Sequence, residues 1–241
     1  MSARTTVLIT GFGPFPGVPV NATMRLLPEL AHSAERRYPD VHFAAETLPT
    51  EWAAAPRLLD RLLADLEPDF AVHFGVSSRA RGFEVERRAR NLCSAQPDAA
   101  GVLPLSTNLN SGGPEHLAAS LPVQHIVTRL RRLGIPAFES RDAGTYLCNA
   151  TLYHSLACGR ATPRRRIGFV HVPASLARPG NPNRGRTGAC PLTWAQALGG
   201  ALEILAVCLS RPPGRLGPTV HADARANPRA REIASGTLSP R

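Results

Sequence analysis

Residues 70–76 read FAVHFGV, an unbroken apolar run closed by Ser77 and Ser78. A run of that length without alternation predicts a strand buried on both faces, as in the interior of a parallel sheet. Toward the N-terminus, residues 51–66 place Leu58, Leu59, Leu62, Leu63 and Leu66 at helical spacing. Before them, residues 42–48 predict another strand. A helix begins at Ala22, with Asn21 as its expected cap and Leu26, Leu27 and Leu30 on one face. TVLITGF, residues 6–12, is a further buried strand ended by glycine. Toward the C-terminus, residues 83–91 carry more charge and predict a strand on an exposed side. Residues 93–113 lack any period and hold Pro, Gly, Asn and Ser, which predicts a long surface loop of the kind that often carries function. A helix over 123–133 stops at Gly134, a short strand covers 137–140, and a turn at Asp142–Gly144 leads into a helix over 148–158. A strand over 167–172 and a helix over 192–209 complete the pattern. Strands alternating with helices predict an α/β fold with a mostly parallel sheet.

The chain has 241 residues, of which 43% are hydrophobic and 19% charged, so it can build a folded core rather than remain disordered. No apolar run approaches the roughly 20 residues of a membrane-spanning helix, and the first residues show no apolar signal-peptide region. The expectation is no membrane partner. The net charge is +10, and all 28 basic residues are arginine. Residues 210–241 hold six arginines against Asp223 and Glu232, a Pro- and Gly-rich basic tail without apolar period that predicts disorder. The rest of the charge is spread thinly. No segment interleaves aromatic and basic residues as a single-strand binder would, so no nucleic-acid partner is expected. The five cysteines, 93, 148, 158, 190 and 208, are odd in number and none pair at C-x-x-C spacing. That argues against a disulfide framework or a zinc site and for a reducing, cytoplasmic setting.

The glycines after the first strand, Gly11, Gly13 and Gly17, have the spacing G-x-G-x-x-x-G, one residue too long for a dinucleotide fingerprint. Prolines there also remove N–H groups that would face phosphate. A stronger candidate lies at Cys148, in SRDAGTYLCN (residues 140–149), where a strand, a turn and a helix meet. Such junctions at the carboxyl ends of strands are where α/β sheets bind ligands. A cysteine in the first turn of a helix is favoured as thiolate by the helix dipole, and backbone N–H groups there can receive an oxyanion. On local sequence alone the commoner outcome is a buried, inert thiol. A nucleophile needs a base. His171 ends the strand IGFVH and would face the same crevice. His73 is mid-strand and reads as a core residue, and His154, six residues beyond Cys148, points elsewhere on its helix. Glu84, Glu86 and Asp142 are the candidate orienting carboxylates.

Four segments in order, TGFGPFPGVPVNAT (10–23), FEVERRARN (83–91), DAGTYLCNATLY (142–153) and GFVHVP (168–173), carry a resemblance. The sequence resembles the pyroglutamyl peptidase I, or pyrrolidone-carboxylate peptidase, family of cytoplasmic cysteine peptidases over roughly residues 5–209. The resemblance implies a single-domain α/β/α sandwich with a twisted, mostly parallel sheet, a catalytic domain over 1–209, and the tail over 210–241 outside it. It implies Cys148 as nucleophile, His171 as base and Glu86 as third triad member. Phe12 and Phe15 match residues that sandwich the pyroglutamyl ring, Asn21 a loop-ordering residue, and Tyr146 and Leu147 the pocket wall. The substrates are then pyroglutamyl peptides, no cofactor or metal is required, and homo-oligomers are expected. Two departures stand out. Gln96 occupies the region of a family arginine implicated near the oxyanion, and residues 173–176 read PASL where Pro-Tyr-Ile-Pro is commoner. They leave open a relative acting on another cyclic amide; a non-catalytic module using the basic tail is the other alternative.

Overall fold

The computed structural model describes residues 4–160, 162, 164–176 and 190–210. Of the tail expected to be disordered, all but Ser210 lies outside the described residues.

Among the described residues, six strands form one sheet in the order β2-β1-β3-β8-β4-β7. β1 (Thr6–Phe12) lies between β2 (His42–Leu48) and β3 (Phe70–Ser77), and β3 pairs with β8 (Arg166–Pro173), all in parallel. β4 (Phe83–Glu86) runs antiparallel to β8 and parallel to the edge strand β7 (Ala137–Ser140). One face packs on α1 (Thr23–Arg37), α3 (Val123–Arg132) and α5 (Trp194–Leu209), through a core that includes Ile9, Leu26, Val72, Phe74, Ile126, Val170 and Ile204. The other packs on α2 (Ala54–Leu66) and α4 (Leu147–Gly159), through Leu8, Leu59, Ala71, Leu152, Leu156 and Phe169. The architecture is therefore the α/β/α sandwich anticipated, and it follows from alternate side chains of each buried strand feeding opposite cores.

β3 shows how a polar residue sits in such a strand. His73 is fully buried, with Nδ1 2.7 Å from Thr10 Oγ1 and Nε2 2.9 Å from Ser155 Oγ. Burial pushes its pKa down to about 3, so it is a neutral, satisfied core residue.

Two expectations need correction. Residues 83–91 are not one exposed strand. β4 is interior, with Phe83, Val85 and Glu86 fully buried, and after Arg87 the chain leaves for a separate antiparallel pair, β5 (Arg88–Arg90) with β6 (His116–Ala118). The charges mislead because Glu86 is internal for a chemical reason and Arg87 and Arg88 lie at the break. Asn21 does not occupy the cap position of α1, which is Ala22 without a side-chain cap. Instead Asn21 Oδ1 accepts from Thr23 N and Oγ1 while its Nδ2 donates to Gly13 O, tying the preceding loop to the helix.

Candidate active site

A cleft of about 800 Å³ opens at the carboxyl ends of β1, β3 and β8, lined among others by Phe12, Phe15, Asn21, Gln96, Tyr146, Leu147, Cys148 and His171. The structure thus brings together on one cleft every site residue expected from the sequence except Glu86, which lies directly beneath it.

Cys148 is the second residue of α4, whose N-cap, Tyr146, supplies no side-chain hydrogen bond. The first backbone N–H groups of the helix are left for a ligand, and the helix dipole favours negative charge there. The turn before it needs Gly144 at φ 82°, a left-handed conformation where a side chain would be strained. Behind it, buried Asn149 donates to Arg90 O (2.9 Å) and Leu92 O (2.8 Å) and accepts from Arg90 N (2.8 Å). This residue, unremarked in the sequence, clamps β5 to the helix that carries Cys148.

His171 is buried near the end of β8, with Nδ1 2.8 Å from Oε1 of the fully buried Glu86. That leaves Nε2 for the thiol of Cys148, which lines the same cleft. Burial by itself disfavours the charged ring. The negative Cys148 sulfur and the Glu86 carboxylate outweigh it and push the His171 pKa up to about 10. The charged imidazole, backed by the Glu86 carboxylate, is thereby favoured.

The other two carboxylates do different work. Glu84 is opposite His171 in the β4–β8 register but half-buried, and burial raises its pKa, with the charge of Glu86 adding to the rise. Asp142 accepts from Arg90 Nη2 (2.8 Å) and Gly144 N (3.1 Å), so it holds the turn rather than the base. Glu84, Glu86 and His171 place ligand atoms within 4.8 Å of one another. His171 Nδ1 is already bonded to Glu86, so that ring nitrogen is engaged within the grouping.

The cleft walls are aromatic. Phe12 is buried and packs 6.4 Å from Phe169, while Phe15 lies 6.1 Å from Tyr146. Trp52 meets Tyr146 edge-on at 5.2 Å, and the Tyr146 hydroxyl donates to Pro97 O. The loop over 93–113 has neither helix nor strand, as expected, but it is anchored by a residue the sequence does not advertise. Buried Asp98 accepts from Trp52 N, Ala100 N and Val102 N, each at 2.9 Å. Burial would raise its pKa, yet these three N–H groups prevail and lower it. Gln96 is exposed at the cleft rim; its carbonyl accepts from Trp52 Nε1, and its side-chain oxygen faces Ser94 Oγ at 3.4 Å.

The sequence profile of the family described as pyroglutamyl peptidase matches residues 5–183. A pyrrolidone-carboxylate peptidase from Gloeobacter violaceus is 40% identical over 171 residues, covering 69% of this chain and 80% of that protein. One from Clavibacter michiganensis is 36% identical, covering 70% and 79%. Among solved structures, a mutant pyrrolidone carboxyl peptidase from Pyrococcus furiosus superposes with a TM-score of 0.77 at 28% identity, over 86% of this chain and 99% of that one. Bacillus amyloliquefaciens pyroglutamyl peptidase I gives 0.73 at 30%, over 85% and 96%.

Proposed function

Because the chain belongs to the pyroglutamyl peptidase family and is a hydrolase removing N-terminal pyroglutamate from peptides, we propose that Cys148, His171 and Glu86 perform that reaction. The observation that carries the assignment is the 2.8 Å contact between the Glu86 carboxylate and the His171 ring, with His171 and Cys148 lining one cleft.

The Cys148 sulfur attacks the pyroglutamyl carbonyl, its proton being held by His171. The carbonyl oxygen gains the negative charge and is received by backbone N–H groups at the start of α4. Collapse of this adduct breaks the C–N bond, and His171 gives its proton to the leaving amine. Water, deprotonated by His171, then hydrolyses the thioester and returns the free thiol. Glu86 holds the ring by Nδ1 and offsets its positive charge, as in triads generally. Phe12 and Phe15 would cover the two faces of the flat lactam ring, with Asn21 fixing their loop and Tyr146 and Leu147 the wall. A charged N-terminal amine in that apolar slot would lose hydration without compensation, which excludes ordinary peptides.

The domain boundary at Leu209, where α5 ends, and a cytoplasmic, reducing setting belong to the same reading. The setting is supported by the five free cysteines, one of them the nucleophile. On family grounds we also infer a homo-oligomer, which light scattering of the purified chain would read.

The deciding experiment is hydrolysis of a fluorogenic pyroglutamyl amide by the wild type and by Cys148→Ala and Cys148→Ser. Both variants should be folded and inactive. Full activity in Cys148→Ser would show that the nucleophile lies elsewhere.

A further inference from the structure

At the far end of α4, a second cluster of ligating side chains lies outside the cleft. His154 and Cys158 are four residues apart and so share one face of the helix. Asp60, from the middle of α2, reaches across to them. Ten residues of helix, about 15 Å of rise, separate Cys158 from Cys148.

The geometry of the cluster is informative. His154 Nε2 is 2.6 Å from Asp60 Oδ1, and Cys158 Sγ is 3.7 Å from the same oxygen and 3.8 Å from the same nitrogen. Both partners therefore converge on one ring nitrogen. A nucleophile–base–acid relay needs the acid and the thiol on opposite nitrogens, as at His171, so this is not a second triad. Three different ligand atoms within 4.8 Å of one another suit a cation instead. Zinc bonds of about 2.0–2.3 Å in a tetrahedron place ligand atoms about 3.3–3.8 Å apart. Both sulfur separations already fall there. The shorter Nε2–Oδ1 distance requires the Asp60 carboxylate to swing out, and its side chain is 53% exposed and able to do so.

The donor set narrows the choice. Thiolate, imidazole and carboxylate together suit a borderline divalent ion; calcium and magnesium take oxygen ligands. Cys158 and His154 also lie in the last turns of α4, where the helix dipole favours positive charge. Arg165, whose charge faces Cys158, is engaged by the carbonyls of Leu63 and Pro68.

We propose that Asp60, His154 and Cys158 form a zinc-binding site of three protein ligands with a fourth, solvent-facing position, pinning α4 to α2. It is independent of the triad assignment.

The test uses Co²⁺ as a spectroscopic stand-in on the full chain carrying Cys148→Ala, so that the active-site thiol cannot contribute. One equivalent of Co²⁺ should produce a thiolate-to-cobalt charge-transfer band and tetrahedral d–d bands, and Zn²⁺ should bleach both. Adding Cys158→Ser should abolish the charge-transfer band. His154→Ala and Asp60→Asn should each weaken Co²⁺ binding by at least about tenfold, the scale on which even ligand-supporting residues act. Zn²⁺ should raise the thermal midpoint of the Cys148→Ala chain and lose that effect with His154→Ala. Absence of the band at Co²⁺ well above the protein concentration, or its persistence in Cys158→Ser or His154→Ala, would overturn the proposal. Should Cys158→Ser fail to fold, Asp60→Asn on the exposed face of α2 decides in its place: undiminished Co²⁺ affinity there overturns the site.

Discussion

A Cβ at Gly75 would sit 2.9 Å from the Cys148 sulfur and 2.7 Å from Cζ of Phe169, so β3 leaves a bare backbone under Cys148. Gly75 is also the register partner of His171. Any side chain there must displace the sulfur or the ring on which His171 packs at 4.8 Å. Gly75→Ala should cost about 1–3 kcal/mol of stability by overpacking. It should also lower kcat by about 10²-fold, the cost of misplacing a reacting group by about 1 Å, with KM changing far less. Thermal unfolding and steady-state kinetics on one pyroglutamyl amide check both; wild-type kcat would show that the cleft floor yields freely.

The raised His171 pKa gives a pH prediction with a definite sign. Its folded value of about 10 is above the ordinary 6.5, so the pair's contribution to stability is complete below about 6.5 and is lost as pH rises through about 10. Activity should persist into the alkaline range and fall near pH 10, when His171 can no longer protonate the leaving amine. The Cys148 charge raises the ring pKa more than Glu86 does. NMR titration should therefore show a larger drop in Cys148→Ala than in Glu86→Gln. The reverse order would mean that Glu86 dominates the charge at the site.

His171→Ala should lose about 10²–10⁴-fold or more in turnover, as removal of a general base does. Glu86→Gln should lose less, since an amide still holds the ring. Glu84→Gln is the internal comparison, because Glu84 shares the strand face but does not make the 2.8 Å contact. A larger loss from Glu84→Gln would exchange their roles.

Much of this is legible in the sequence, for physical reasons that differ by element. TVLITGF, FAVHFGV and IGFVH read as strands because each is buried on both faces and leaves no polar alternation. β6 escapes such a reading because three residues, His116–Ala118, carry no periodicity. β4 reads as exposed because the charge on Glu86 looks like a solvated one until His171 stands 2.8 Å away. The proposed triad rests on family motifs; local sequence leaves three carboxylates open. Gly75, Asn149 and Asp98 have no sequence signal, since each matters through a partner distant in the chain: Gly75 through Cys148, Asn149 through Arg90, Asp98 through Trp52. The same holds for Asp60, which is 94 residues from His154. Spacing rules that exclude zinc from cysteine pairs are blind to such a grouping.

Asp98 should act as an acid-labile latch on the cleft wall. Its pKa is lowered, so the stability it supplies is present above the ordinary carboxylate value of 3.8 and is lost only as pH falls through the lower folded value. Trp52, whose N–H it accepts, can report this by fluorescence in a Trp194→Phe background, with a transition in wild type below the usual carboxylate range. Asp98→Asn leaves at least one part-buried N–H facing an amide NH₂ instead of an acceptor, at about 1 kcal/mol. It should raise KM more than it lowers kcat, since Trp52 packs edge-on against Tyr146, which lines the cleft. An unchanged KM would show that the wall does not touch substrate.

The Gln96 departure tests how the oxyanion is held. Gln96 is exposed at the rim, its backbone carbonyl engaged by Trp52 and its side-chain oxygen turned to Ser94. The Cys148 helix, by contrast, starts with N–H groups that no side chain caps. If those groups receive the developing charge, Gln96→Ala should change turnover by less than about threefold, far below the roughly 10²–10³-fold loss that follows removal of a working oxyanion donor. Gln96→Arg should likewise bring little gain, because a charge at the solvent-facing rim acts through high dielectric. The two variants are to be measured beside wild type on one pyroglutamyl amide. Collapse of Gln96→Ala would assign the oxyanion to the loop rather than the helix. A large gain in Gln96→Arg would mean that this chain works below the capacity of its own fold, and that its preferred substrate is a different cyclic amide.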